Sequence, residues 1–217
     1  MRNPLVPLSV LLFLLACSGE FFDNPTGLAT LLGGTKKFEL RLDSSFLASS
    51  ELRGDAPKGD VENGMIGQYV HGNEPSHHTI YLYNYTDSPL KAQERIRQVC
   101  DQFYTNTIDG ICGDDDTGQM IAWYVFSSLG FYPVTHGNNI YAIGTPQFGS
   151  MKINLPSGKI FSIEAKNISE TNKYIQSVYL NGKPLTDLFI SHSEIVAGGK
   201  LKFLMGENPS KWGTNQS

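Results

Sequence analysis

The 217-residue sequence predicts an α+β fold, with helices in its first part and a small antiparallel β-sandwich after them. Between Gly72 and Pro133, apolar residues recur at the three- and four-residue spacing that is typical of amphipathic helices. From about residue 139 the pattern changes to short segments, several of which alternate strictly between apolar and polar residues. Glycine-containing turns separate these segments, as expected of strands that are connected by hairpins.

The first helices are predicted from their apolar spacing and their caps. Residues 36–47 place their apolar side chains along one face of a short helix. The polar stretch 48–63, which contains glycine and proline, is predicted to be a loop. Asp87 or Ser88 is expected to cap an amphipathic helix with Pro89 at its first position, where a missing backbone N–H is tolerated.

A further helix is predicted after the glycine-rich, acidic loop at 109–116, with Thr117 as its cap and Gly130 at its end. This helix is apolar around nearly its whole circumference, so we expect it to lie in the middle of a larger structure with neighbours on all sides. Its apolar residues are Met120, Ile121, Trp123, Tyr124, Phe126 and Leu129.

The second part of the chain contains about six predicted strands at a spacing that is typical of a two-layer sandwich. Turns are predicted at Pro156–Gly158, at Asn181–Pro184 and at Gly198–Gly199. The strands begin at or near Ile140, Met151, Ile160, Ile175, Glu194 and Leu201.

The N-terminus has the pattern of an export signal. Arg2 is followed by an almost unbroken apolar run from Leu5 to Ala16, which suits the core of a signal peptide and is short for a membrane span. Ala16 directly precedes Cys17, as at a bacterial lipoprotein processing site, so residues 1–17 are predicted to be a signal peptide with a lipid on Cys17. The protein is then exported, to the periplasm or as an outer-membrane or cell-surface lipoprotein. The alternatives are a plain secretory signal and a short buried strand.

The charge and the cysteines exclude some classes of function. A net charge of −4, from 17 basic and 21 acidic residues, excludes the broad basic footprint of a nucleic-acid-binding protein. Beside Cys17 the chain has Cys100 and Cys112, which lack the spacing of a zinc site. We expect two buried free thiols, although an oxidising compartment would also permit a disulfide bond.

Two clusters of polar residues are candidates for chemistry. The first runs from His71 to His78 at the start of a helix, and the second contains Asp114, Asp115 and Asp116 between two glycines. Three adjacent carboxylates raise one another's pKa unless a cation, a hydrogen-bond donor or a ligand offsets them. A solvated acidic turn is the simple alternative, but these acids lead directly into the most apolar helix of the chain.

For the first cluster the simple alternative is helix capping plus one packed imidazole. His77 and His78 are adjacent and therefore point to different faces of a helix, so they cannot share one metal as an i, i+4 pair would. A zinc site is not expected. Oxygen-rich side chains such as those of Asn73, Glu74 and the acidic loop suit a hard cation, and calcium is the predicted cofactor.

These two clusters and several shorter strings resemble the C-terminal part of glycoside hydrolase family 92. The resemblance covers roughly residues 24–209. It is carried by Gly72-Asn-Glu-Pro-Ser-His-His, Gln93-Glu-Arg-Ile-Arg, Phe103-Tyr-Thr, Gly113-Asp-Asp-Asp-Thr-Gly-Gln-Met-Ile-Ala-Trp-Tyr-Val-Phe-Ser-Ser-Leu-Gly-Phe-Tyr-Pro-Val, Gly144-Thr-Pro, Ile153-Asn-Leu-Pro and Leu180-Asn-Gly-Lys-Pro-Leu.

The resemblance implies an exo-acting, calcium-dependent, inverting α-mannosidase that acts on mannose-containing glycans. It implies that residues 24–135 are part of an (α/α)6-barrel catalytic region and that residues 138–209 are a C-terminal β-sandwich region. The loop that matches the catalytic base of the family carries Asp114 and Asp116 here. The first cluster resembles the part of the family's active centre that contacts sugar or calcium, so Glu74, His77 and His78 are predicted to bind substrate, and Asn73 and Glu74 are predicted to bind calcium.

The chain departs from the family because the general acid lies upstream of the base in family members, and nothing between Glu20 and Asp60 resembles it. We therefore expect a fragment of the hydrolase, possessing the base and lacking the acid. Either the chain is a truncated or fused product, or it acts together with a second chain that carries the missing catalytic portion. The alternatives are a carbohydrate-binding module that does not cleave its ligand and an inactive remnant.

Overall fold

The computed structural model describes residues 24–51, 64–135 and 137–214. Helices come first and sheets follow, which confirms the predicted α+β class. The predicted signal peptide, with Cys17, lies outside the described residues. Within the described ranges, no helix has both the length and the apolar character needed to cross a bilayer.

Most of the described helices lie before residue 130. They are α1 (Pro25–Leu31), α2 (Thr35–Leu47), α3 (Leu90–Phe103) and α4 (Gln119–Leu129), with a short α5 (His192–Val196) between strands and 3-10 segments at Glu74–Ser76 and Thr79–Tyr85. The helix predicted over 36–47 is confirmed as α2. The described helices do not close a barrel.

The predicted caps of α3 and α4 are both wrong. Pro89 lies before the first residue of α3, and no side chain caps that helix. The candidate Asp87 instead accepts a hydrogen bond from Thr35, and Thr86 Oγ1 accepts from the Ser88 backbone N–H. Gly118, and not Thr117, precedes α4, where it adopts a left-handed conformation.

In the part of the chain that the structure describes, ten strands form one hairpin and two larger sheets. In chain order they are β1 (Met65–Ile66), β2 (Tyr69–Val70), β3 (Phe131–Tyr132), β4 (Ile140–Ile143), β5 (Ser150–Asn154), β6 (Ile160–Lys166), β7 (Tyr174–Leu180), β8 (Lys183–Leu185), β9 (Phe189–Ser191) and β10 (Gly199–Gly206). Strands β1 and β2 pair with each other, β3-β4-β9 form one sheet, and β5-β6-β10-β7-β8 form the other.

The two larger sheets pack face to face as the predicted sandwich. Phe131, Ile143 and Ile190 of the smaller sheet share one core with Phe161 and Phe203 of the larger sheet. The pairing is antiparallel except between β6 and β10, which are parallel. The antiparallel prediction therefore needs correction at this pair: β9 and α5 carry the chain through the other layer, so that β10 enters beside β6 in the same direction.

Buried polar side chains join the helices to the sandwich. Gln93 of α3 accepts a hydrogen bond from the backbone N–H of Ile175 at 2.8 Å, and Asn84 donates to the carbonyl of Ile143 at 2.7 Å. Phe126 of α4 packs against both hydrophobic cores. The division of the chain into a region 24–135 and a region 138–209 remains a prediction, since β3 before this boundary pairs with β4 after it.

Helix α4 has neighbours on only part of its circumference among the described residues. Met120 and Trp123 are fully buried, as its apolar sequence predicts. Ile121 is 40% exposed and Val125 is 50% exposed, one helical turn apart on the same face. The expectation that this helix is covered on all sides is therefore not met within this part of the chain.

Candidate active site

The two polar clusters meet at a pair of glycines, Gly72 and Gly113, which are 41 positions apart in the chain. A Cβ atom added at Gly113 would lie only 2.7 Å from the Cα of Gly72, and one added at Gly72 would lie 3.1 Å from the Cα of Gly113. Only glycine permits two backbones to approach this closely. The structure thus brings the loop that carries Glu74 beside the loop that carries Asp114 and Asp116.

We expect Gly113→Ala to force these two loops apart. Gly113 has φ +66°, so alanine adds backbone strain as well as the clash with Gly72. The matched control is Gly118→Ala, since Gly118 also has positive φ (+90°) but a Cβ there meets nothing within 4 Å. Urea unfolding should show that Gly113→Ala costs about 1–3 kcal/mol more than Gly118→Ala, the usual range for overpacking. Equal losses would contradict the contact between the two loops.

The acidic loop is exposed, and its backbone is strained. Asp116 and Thr117 have φ values of 39° and 64°, a left-handed conformation that is uncommon for residues other than glycine and unfavourable for a β-branched one. Among the described residues, the carboxylates of Asp114 and Asp116 have no hydrogen-bond or ion-pair partner. Strained backbone of this kind is found preferentially at functional sites.

Asp115, between these two acids, has a different environment. Its Oδ1 accepts a hydrogen bond from the backbone N–H of Ile121 at 3.1 Å, and its carbonyl accepts from the N–H groups of Gly118 and Met120. Asp115 therefore accepts the hydrogen bonds of backbone N–H groups at the start of α4. The sequence pattern predicted this capping role for Thr117. Among the described residues, the side chains of Asp114 and Asp116 take no part in this hydrogen bonding, and both are exposed.

In the first cluster the side chains lie at different depths. Asn73 is exposed, Glu74 and His78 are half-buried, and His77 is only 1% exposed. Glu74 begins a 3-10 turn, and the Ser76 hydroxyl closes that turn by donating to the carbonyl of Asn73 at 2.8 Å. The predicted roles of Glu74, His77 and His78 in sugar binding, and of Asn73 and Glu74 in calcium binding, remain predictions.

His71 begins the first cluster, but the sequence analysis did not predict a role for it in the site. His71 is completely buried, its Nδ1 lies 2.8 Å from the Tyr69 hydroxyl, and its Nε2 lies 2.8 Å from the Tyr104 hydroxyl. Its ring stacks on His77 with a centroid separation of 4.7 Å and meets Trp123 edge-on at 4.4 Å. The signal in the sequence was the histidine itself at the start of the motif; its partner Tyr69 is two residues away, but Tyr104 and Trp123 are distant in the chain.

Burial determines the charge state of both histidines. Desolvation lowers the pKa of His71 to about 2, and the neighbouring His77 lowers it further in the same direction. Desolvation also lowers the pKa of His77 to about 4, although its hydrogen bond to the carbonyl of His71 opposes this shift. Both imidazoles are therefore neutral at physiological pH.

We expect this pair to make the protein sensitive to acid. In the unfolded chain both pKa values return to about 6.5, so protonation favours the unfolded state. Their contribution to stability is complete above pH 6.5 and is lost as the pH falls, down to about 4 for His77 and about 2 for His71. The expected slope is about 1.4 kcal/mol per pH unit for each histidine. Urea unfolding at pH 7.5 and 5.5 checks this, with His71→Gln and His77→Gln each expected to flatten the difference. A difference that neither substitution changes would contradict the assignment.

A cavity of about 570 Å³ opens beside the acidic loop. Phe103, Ile108 and Ile111 supply apolar walls, and Gln102, Thr105 and Asp109 supply polar groups, while Gly113 joins it to the site. Cys112 also lines it as a buried free thiol, and burial raises the pKa of that thiol to about 11. Cys100 is likewise buried and free, which confirms the prediction for both cysteines.

The oxygen atoms near Glu74 are of the type that binds calcium, but they are too few to complete its coordination. Carboxylate and amide oxygens are suitable ligands, and calcium takes six to eight of them. Within residues 24–51, 64–135 and 137–214, no group of three or more His, Cys, Asp or Glu side chains is placed to hold a metal ion. Calcium at this site would need further oxygens from the backbone, water, substrate or another polypeptide.

The family model for the glycosyl hydrolase family 92 catalytic domain matches residues 18–207, most of the chain. The chain belongs to glycosyl hydrolase family 92. The match includes both clusters of the site and the sandwich. The resemblance that the motifs indicated is thereby confirmed, together with the glycosidase class of the family.

Solved family 92 structures share this fold. An α-mannosidase from Bacteroides thetaiotaomicron, in complex with mannoimidazole, is 40% identical with a TM-score of 0.82 over 89% of this chain and 25% of that one. An inverting mannosidase from the same species is 39% identical with a TM-score of 0.76 over 89% of this chain and 27% of that one. An uncharacterized secreted glycosidase from Arthroderma benhamiae is 34% identical over 88% of this chain and 23% of the relative. This chain thus spans about a quarter of the length of these relatives.

Proposed function

We propose that this chain carries the water-activating half of an inverting α-mannosidase site. The observation that supports this most strongly is the contact between Gly72 and Gly113, because it joins the two family motifs into one site. Asp114 and Asp116 are exposed carboxylates without partners among the described residues, which suits a group that must accept a proton from water. One similar solved enzyme is described as an inverting mannosidase.

In this mechanism Asp114 and Asp116 orient one water molecule and remove its proton as it attacks the anomeric carbon. Inversion requires a second carboxyl group, roughly 6.5–9.5 Å from the base, which protonates the leaving oxygen. We assign that general acid to a polypeptide segment other than residues 64–135, either of the same protein or of a second chain. The exposed face of Ile121 and Val125 on α4 is suited to pack against such a segment.

The proposed substrate is a mannose-containing glycan bound against the first cluster. Glu74 and His78 are accessible enough to contact hydroxyl groups, and His77 lies behind them with its ring packed on His71. Asn73 and Glu74 are the proposed calcium ligands, since Asp115 already serves the start of α4. When bound, calcium would offset the charge of the acids and bind sugar hydroxyls.

We further propose that the protein is exported, with residues 1–17 as a signal peptide and Cys17 as the site of lipid attachment. The apolar run before Cys17 supports export. The similar fungal glycosidase is described as secreted.

The proposal predicts slow hydrolysis and weak calcium binding by the isolated chain. An activated aryl α-mannoside needs little protonation of its leaving group, so turnover should be measurable on it first and should fall roughly 10²–10⁴-fold below that of a complete family member. Calcium binding by calorimetry should be weak and should weaken further in Glu74→Gln. Glu94→Gln is the control, because Glu94 is bound to Tyr174 away from the site.

Two outcomes would contradict these assignments. Rapid turnover of an unactivated mannoside by the pure chain would show that a general acid is present within it. Equal calcium affinity in the wild type and in Glu74→Gln would remove Glu74 from the site. Glycan binding without any turnover would favour a carbohydrate-binding module.

A further inference from the structure

The hydrogen bonds around His71 have only one consistent direction. The Tyr104 hydroxyl lies 2.9 Å from the carbonyl oxygen of Met120 and 2.8 Å from His71 Nε2. A carbonyl only accepts, and a hydroxyl has one hydrogen, so Tyr104 donates to Met120 and must accept from His71. His71 Nε2 is therefore protonated. A neutral imidazole has one N–H group, so Nδ1 accepts the hydrogen of the Tyr69 hydroxyl at 2.8 Å.

A directed chain of three hydrogen bonds results, from Tyr69 through His71 and Tyr104 to the carbonyl of Met120. Tyr69, His71 and Met120 are buried, and Tyr104 is partly buried. Among the described contacts, none of these hydrogen-bonded groups also bonds to a charged side chain. Reversing any one link would leave two lone pairs, or two hydrogens, facing each other at buried groups. Each such unsatisfied group costs about 1–3 kcal/mol when buried.

This series of hydrogen bonds links the three segments that carry the site. Tyr69 and His71 lie immediately before the turn of Glu74, Tyr104 follows α3, and Met120 is in the first turn of α4 directly after Asp114–Asp116. The backbone carbonyl of His71 also accepts a hydrogen bond from His77 Nε2 at 3.0 Å. These hydrogen bonds therefore join the same two loops that meet at Gly72 and Gly113.

We infer that His71 and Tyr104 are positioning residues, which hold the Glu74 turn and the Asp114–Asp116 loop at a constant separation. This inference rests on the proposed function for its catalytic consequence but not for its geometry. His71 is completely buried, so it does not touch substrate. It acts through the backbone on either side of the site, and a displacement of about 1 Å at such a site costs roughly 100-fold in rate.

The test compares Tyr104→Phe with Tyr81→Phe. Tyr104 donates to the Met120 carbonyl and Tyr81 donates to Ser127 Oγ at 2.8 Å, so each variant loses one donated hydrogen bond, and Tyr104→Phe also removes the acceptor of the His71 N–H. A merely structural role therefore predicts a loss of stability in both variants but no selective loss of rate. We expect only Tyr104→Phe to shift the amide resonances of residues 71–77 and 113–121, and to lower kcat for an aryl α-mannoside roughly 10- to 100-fold with little change in KM. His71→Gln, which keeps an N–H donor near Tyr104, should recover most of the rate lost in His71→Leu.

The nitrogen resonances of the His71 ring in the wild type provide a readout that needs no variant. They should show hydrogen on Nε2 and none on Nδ1. Hydrogen on Nδ1, or equal amide shifts in Tyr104→Phe and Tyr81→Phe, would overturn the inference. A wild type that shows no hydrolysis would contradict the proposed function alone, because the amide and ring measurements would still decide the positioning role.

Discussion

Trp123→Ala is expected to destabilise this protein by about 3–5 kcal/mol, the usual cost of truncating a fully buried aromatic residue. Trp123 is 0% exposed, stacks on Tyr104, meets His71 edge-on, and donates its indole N–H to the carbonyl of His77 at 3.2 Å. Alanine removes these contacts and leaves the His77 carbonyl without its donor. Since domains of this size are stable by about 5–15 kcal/mol, a large part of the margin is lost.

Val125→Ala is the matched control for this substitution. Val125 lies on the same helix two residues away, but it is 50% exposed. Its truncation should change the free energy of unfolding by less than about 0.5 kcal/mol, as expected of an exposed position. Urea unfolding followed by near-ultraviolet circular dichroism measures both variants. A loss below 1 kcal/mol in Trp123→Ala would show that α4 does not pack as described.

Asp116→Asn is expected to lower the hydrolysis of an aryl α-mannoside by roughly 10²–10⁴-fold, the usual contribution of a general base. The amide has almost the same size as the carboxylate, but it cannot accept the proton of the attacking water. Asp114→Asn should act in the same direction, since the two carboxylates are proposed to orient one water. Initial rates at saturating substrate measure the effect on kcat.

Asp115→Asn separates the charge of the loop from its chemistry. It removes one negative charge between Asp114 and Asp116, yet the asparagine Oδ1 can still accept the hydrogen bond of the Ile121 N–H. We expect it to keep most of the rate and most of the stability. Asp115→Ala should cost about 1 kcal/mol of stability through the lost cap. A rate in Asp115→Asn as low as that in Asp116→Asn would contradict the assignment of the base.

Trp123→Ala is expected to lower stability and Asp116→Asn is expected to lower the rate of hydrolysis, because the two residues lie in different parts of the structure. Trp123 is buried and packs against His71 and Tyr104, whereas the acidic loop is exposed to solvent. A variant such as Gly113→Ala, between them, should affect both stability and rate. Measuring both quantities on each variant therefore distinguishes a displaced loop from an absent chemical group.

The sequence by itself determined the order of the elements, the sandwich and the two candidate loops. These follow from local rules: apolar spacing for α2 and α3, alternation for β6 and β10, and family motifs around Glu74 and Asp114. Local rules were weakest at helix ends. The caps of α3 and α4 were mispredicted because Asp87 accepts a hydrogen bond from Thr35, which is distant in the chain, and because Asp115, and not Thr117, accepts from an N–H group of α4.

Only the tertiary structure decided which residues meet. The parallel pairing of β6 with β10 depends on a crossing through the other sheet, which no local pattern encodes. The contact of Gly72 with Gly113 and the hydrogen bond of His71 with Tyr104 join residues that are 41 and 33 positions apart in the chain. A periodic sequence reports which face of an element is apolar; the partner of that face, and the direction of a buried hydrogen bond, depend on packing between elements.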